Sequence, residues 1–224
     1  MSKVFLVRHG QTLWNREARF QGRKDSPLSD LGRNQTQVLA REMAHGTWGP
    51  LPRRIFCSSA GRARESASLL VATWRELNQT IPAVEYLDEL QEMHLGSWEG
   101  LLKCEIEKRD GENYVRFRKD PLLFRSPGGE SYRDLERRIR TFWESRKETM
   151  RAESCLILSH GVWLQTLFRW HMKWPWDDLW MHGVLHQSAL SILEFGSRSR
   201  LVVRNDRRHL ASLRSDPDPS DLSI

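Results

Sequence analysis

Residues 4–10 read VFLVRHG, an apolar run of four set directly against an arginine, a histidine and a glycine. A short continuous apolar stretch bounded by a polar residue and a turn-former has the signature of a buried strand. Two further stretches share the pattern: residues 54–57, RIFC, run into Ser58, Ser59 and Arg62, and residues 155–158, CLIL, run into Ser159, His160 and Gly161. Helical periodicity lies between them. Leu31, Val38 and Leu39 share a face after the N-cap candidate Ser29, and Ala67, Leu70, Val71 and Trp74 share another. Leu135, Ile139, Phe142, Trp143 and Met150 follow Ser131, with Asp134 three residues on. Strands alternating with helices predict an α/β fold: a mostly parallel central sheet flanked by helices in three layers.

Ala83–Tyr86, Ala189–Phe195 and Leu201–Val203 are further strand candidates. Residues 96–130 loosen into charged, Gly- and Pro-containing sequence with one short helical stretch near 101–109, read as a small cap excursion. Residues 1–211 are expected to form one domain, and residues 212–224, containing SDPDPSD, a disordered tail.

The chain has 224 residues, 39% hydrophobic and 29% charged, with ten tryptophans, enough to bury a sizeable core. Its N-terminus passes from Met1 into a short apolar run without the longer stretch of a signal peptide. No window reaches the length of a membrane span, and the expectation is a cytoplasmic protein with no membrane partner. Cys57, Cys104 and Cys155 are odd in number, two of them in strand-like runs, which points to reduced thiols. The net charge of +6 favours anionic partners but does not separate a phosphorylated metabolite from nucleic acid. The basic cluster Arg137, Arg138 and Arg140 reads as a solvated helix face.

In open α/β sheets, ligands bind beyond the carboxyl ends of the strands. There the pattern delivers Arg8 and His9, Arg62, and His160. Guanidinium groups offer planar forks of donors and a fixed charge, matched to a phosphate dianion. A histidine beside two cations is held neutral, and its free ring lone pair can attack phosphorus. His9 is therefore the nucleophile candidate. Gly10 and Gly161, each following a histidine, are read as places where backbone approaches the bound oxyanion.

Seven stretches in order, LVRHGQT, SPLSDLGRNQ, CSSAGRARESA, LQEMHLGSWEG, PGGES, LILSHG and NDRRHL, resemble the signatures of the histidine phosphatase superfamily in its phosphoglycerate-mutase-like branch. The resemblance covers residues 4 to about 210 and is closest to the broad-specificity phosphatase type. It implies His9 as the phosphorylated nucleophile, with Arg8, Arg62 and His160 as catalytic partners that clamp the phosphate. Asn15 and the amide of Gly161 are implied as further phosphate contacts, and Glu92 as the proton donor. A carboxyl beside a bound phosphate dianion can keep its proton near neutral pH, which fits that role. No metal and no cofactor is expected, because the cations already neutralise the transferring group. The function implied is a metal-independent phosphomonoesterase acting on a small phosphorylated metabolite.

Two alternatives differ in chemistry. A cofactor-dependent phosphoglycerate mutase carries RHYG and a longer insertion where this chain has EMHLGSWEG. A non-catalytic phosphate-binding regulatory protein would have no need for the full set Arg8, His9, Arg62, Glu92 and His160. Nucleic acid is not expected as a partner, because the tryptophans look core-like or pocket-like and form no stacking platform. His182 and His186, four apart, are not read as a metal pair, since no firm helix supports them. Trp174, Trp176 and Trp180, with Trp98, are expected to wall the substrate site. Arg116, Arg118, Lys119 and Arg125 are read as solvated. The substrate and the oligomeric state are left open.

Overall fold

The computed structural model describes residues 1–195 and 199–213. Its six-stranded sheet has the order β3-β2-β4-β1-β5-β6, with β1 at Ser2–Arg8, β2 at Arg54–Ser58, β3 at Ala83–Leu87, β4 at Cys155–Ser159, β5 at Leu190–Phe195 and β6 at Arg200–Asp206. The first four are mutually parallel, and β5 and β6 run antiparallel at one edge. The helices are α1 (Leu13–Arg16), α2 (Asp30–Ala44), α3 (Gly61–Glu76), α4 (Lys103–Lys119), α5 (Tyr132–Ala152) and α6 (Gly161–His171).

The period of two in the apolar runs divides the core into two layers. Phe5 and Val7, Ile55 and Cys57, and Leu156 and Leu158 face α2 and α3, where they meet Leu39, Leu70 and Trp74. Val4 and Leu6, Phe56, and Cys155 and Ile157 face the other way, onto Leu135, Ile139 and Phe142 of α5 and Trp163 of α6. Both faces of the central strands are therefore buried, which is why they read as unbroken apolar runs. Ser29 caps α2 and Ser131 caps α5, the latter in a capping box with Asp134.

The excursion departs from expectation. Its helix α4 extends to Lys119 rather than ending near 109, with a kink at Asp110, whose carboxylate accepts the Trp98 indole N–H at 3.0 Å. Trp98, Phe117 and Phe124 pack there with Phe20 into an aromatic cluster. The apolar signal was spread thinly among charged residues, because this helix buries only Ile106, Tyr114 and Phe117. Ser212 and Leu213 close a final 3-10 turn, and the rest of the expected tail, 214–224, lies outside the described residues. Among the described residues no helix is long and apolar enough to cross a membrane.

Candidate active site

Strand register creates the site. Arg8 pairs with Ser159 across β1 and β4, and Cys57 with Leu158 across β2 and β4, so three parallel strands end side by side. Arg8, His9, Asn15, Arg62 and Glu92 line one cleft of about 60 Å³. His160 and Gly161 stand behind it. The ring of His160 is fully buried and meets His9 edge-on, with centroids 5.1 Å apart.

The hydrogen bonds of His9 define its tautomer. Nδ1 lies 2.7 Å from the Gly10 carbonyl, which can only accept, so Nδ1 carries the proton. Nε2 is left as an acceptor and takes the Arg62 Nε–H at 3.2 Å. Burial first, then the charges of Arg62 and Arg8, hold His9 well below the ordinary histidine pKa, against the Gly10 bond that favours the cation. His160 is lowered too, by burial and then by Arg62, His9, Arg8 and Arg138. Its Nε2 bonds Ser58 Oγ at 2.7 Å, while Nδ1 has no hydrogen-bond partner among the described residues.

Arg62, on the first turn of α3, is 1% exposed and tightly fixed. Its Nη1 donates to the Lys24 carbonyl and to Asp25, and its Nη2 to the Gly22 carbonyl, leaving one Nη2–H for a ligand. Asn15 belongs to the capping box of α1. Its Oδ1 accepts both N–H and O–H of Thr12, which leaves the Nδ2 donors for the cleft. Glu92 arrives from the loop after β3 and caps α6. Its Oε1 accepts the amides of Met93 and Trp163, and its Oε2 that of Val162. Oε2 thus keeps the more open valence.

Several expectations need correction. Gly10 is small for packing: a Cβ there would meet the Gly32 carbonyl at 2.4 Å, and its N–H is taken by Ser66 Oγ. Gly161 needs no such correction: a Cβ there would lie 3.3 Å from Arg8 Cζ, so glycine leaves the room that the guanidinium takes. The tryptophans do not wall the cleft. Trp174 stacks on His182, and Trp176 lies under Arg169. Trp180 and Trp98 buttress Phe117 from behind, and the apolar wall is Phe20, Leu95, Phe117 and Val162. Arg138 is not solvated like its neighbours Arg137 and Arg140: its side chain is only 14% exposed. Asp25 and the Gly22 and Lys24 carbonyls were missed, because loop acceptors carry no periodic signal, and Ser58, though inside CSSAGRARESA, was given no role because nothing local pairs it with His160.

This fold and strand-end site define a phosphatase of the histidine phosphatase superfamily. The chain belongs to that superfamily, whose branch 1 model matches residues 4–207. It is 33% identical over 164 residues to the 2,3-bisphosphoglycerate-dependent phosphoglycerate mutase 2 of Gloeobacter violaceus, covering 72% of this chain and 71% of that one. It is 28% identical over 169 residues to the metal-independent phosphoserine phosphatase of Arabidopsis thaliana, covering 75% and 68%. The solved structure of Bacillus stearothermophilus YhfR superposes with a TM-score of 0.83 at 31% identity, over 94% of this chain and all of that one.

Proposed function

We propose that this phosphatase hydrolyses small phosphorylated metabolites without a metal, through a phosphohistidine formed on His9. The observation that carries the reading is the His9 tautomer: a proton on Nδ1, a lone pair on Nε2, and Arg62 beside that lone pair. The Arg62 Nε–H, which occupies the Nε2 lone pair in the unliganded site, turns to a phosphoryl oxygen, Nε2 attacks phosphorus as the ester P–O bond breaks, and the phosphoryl charge is met by Arg8, Arg62 and Asn15. The unpartnered Nδ1 of His160 and the Gly161 amide are the further donors the reading assigns to the phosphoryl oxygens. Positive charge gained by the imidazole is met by the Gly10 carbonyl. Glu92 gives its proton to the leaving alkoxide. As a water then attacks phosphorus, the same carboxylate takes its proton, the P–Nε2 bond breaks, and neutral His9 is restored.

The polar groups gather at one part of the cleft lining and Phe20, Leu95, Phe117 and Val162 form the rest, so the reading seats the phosphoryl group on the former and the remainder of the substrate along the latter. His9→Ala is expected to remove at least about 10³-fold of aryl phosphate turnover while leaving a folded protein, since among the described residues no other histidine, cysteine or serine lines the cleft and the Glu92 carboxylate is tied to three backbone amides. Retained turnover in a variant with native circular dichroism would refute the mechanism. The mutase among the relatives motivates one control, in which 3-phosphoglycerate is incubated with 2,3-bisphosphoglycerate. Formation of 2-phosphoglycerate faster than release of inorganic phosphate would favour a mutase.

A further inference from the structure

Arg138, in α5, does not line the cleft, yet all five of its guanidinium N–H groups are used. Nε and Nη2 form a fork on Glu130, at 3.1 and 2.9 Å. Nη1 donates to the carbonyls of Glu89 and Gln91 at 2.8 and 2.6 Å, and Nη2 also reaches the Glu92 carbonyl at 3.2 Å. Those three carbonyls belong to the segment that carries Glu92 out of the 3-10 turn at Asp88–Leu90. Among the described residues that segment pairs with no strand, so a side chain supplies the donors a ladder would otherwise provide.

Glu130 orients the guanidinium. It also accepts the His94 amide at 2.8 Å and Arg23 at 3.0 Å. Burial disfavours its charge, but Arg138, the His94 amide and Arg23 together hold it below the ordinary carboxylate range. Arg23 lies between Gly22 and Lys24, whose carbonyls hold Arg62. One ion pair therefore braces the Glu92 segment and touches the loop that fixes the phosphate clamp. We propose that Arg138, oriented by Glu130, is the positioning residue for Glu92, holding its backbone so that the carboxyl stays within reach of the leaving oxygen. This rests on the reading of Glu92 as proton donor.

The test compares kcat/KM for 2,4-dinitrophenyl phosphate, whose leaving group needs no proton, with that for benzyl phosphate, whose alkoxide does. Wild type, E92Q, R138M and E130Q are measured with both esters. E92Q is expected to lose on the order of 10²- to 10⁴-fold on the benzyl ester, and R138M on the order of 10- to 100-fold, with the dinitrophenyl ester changed by about threefold at most. E130Q should shift the same way by less. The ratio of the two esters does not depend on the fraction of enzyme folded, so a merely structural role leaves it at the wild-type value, and E130Q supplies the answer if R138M fails to fold. A selective loss in E92Q with wild-type ratios in R138M and E130Q overturns the positioning role alone. A wild-type ratio in E92Q removes the proton-donor reading, and the inference with it.

Discussion

His9 and His160 are buried side by side as neutral rings, which ties stability to pH in a direction that can be worked out. Burial and the neighbouring arginines lower both folded pKa values, so below about pH 6.5 the unfolded chain binds protons that the native state refuses. Stability must fall as pH falls. While the native rings stay neutral, acidification from pH 7.5 to 5.5 costs about 1.4 kcal/mol per histidine, or about 2.7 kcal/mol for the pair. His171 is lowered by burial as well and contributes with the same sign, so the total slope is not diagnostic. The informative quantity is the difference from the double variant H9Q/H160Q, measured by urea unfolding with tryptophan fluorescence at both pH values. The wild type should lose about 2.7 kcal/mol more than the double variant, and each single variant should remove about half of that difference. Parallel losses in wild type and double variant would refute the claim that these rings are held neutral.

Gly32→Ala reverses the usual helix rule. Alanine is favoured over glycine by about 1 kcal/mol in a helix interior, but here the new Cβ would lie 2.0 Å from the Gln11 carbonyl. A net destabilisation of about 1–3 kcal/mol, with lower activity through the His9 loop, is expected in thermal melts, and a raised Tm would contradict it. Gly161→Val should push the Arg8 guanidinium aside and weaken competitive inhibition by orthophosphate by about tenfold, equivalent to about 1.4 kcal/mol; an unchanged inhibition constant would exclude the contact. Ser131→Ala removes the hydroxyl that accepts the Asp134 amide, and denaturant unfolding should show a loss of about 0.5–2 kcal/mol.

Much of this was legible in the sequence because it was carried by local pattern. Buried parallel strands need apolar residues on both faces, so β1, β2 and β4 stood out. The weaker β3, at the sheet edge, was read as Ala83–Tyr86, one residue short of its end, as β2 and β4 were. The cleft residues Arg8, His9, Asn15, Arg62 and Glu92 were nominated by strand-end position or by motif, and the fold does bring them together. The tryptophans were misread because aromatics crowded into a Pro-containing loop signal apolar packing without saying what they pack against. Trp98 and Trp180 support Phe117, one of the four residues of the apolar wall.

By itself, then, the sequence determined the layered sheet and the identity of the groups at its carboxyl edge, since the alternation of apolar side chains and the residues that follow each strand are local properties of the chain. Only the tertiary structure decided how those groups are held: the proton on His9 Nδ1, the seating of Glu92 on the first amides of α6, and the brace of Arg138 and Glu130. The seat of Glu92 and the bonds of Arg138 to residues 89, 91 and 92 join atoms distant in sequence, while the His9 bond is to the neighbouring Gly10 carbonyl and needs only the backbone conformation that the fold imposes. Most of the partners are backbone carbonyls and amides that every residue possesses. Their identity carries no signal until folding has placed a donor opposite each one.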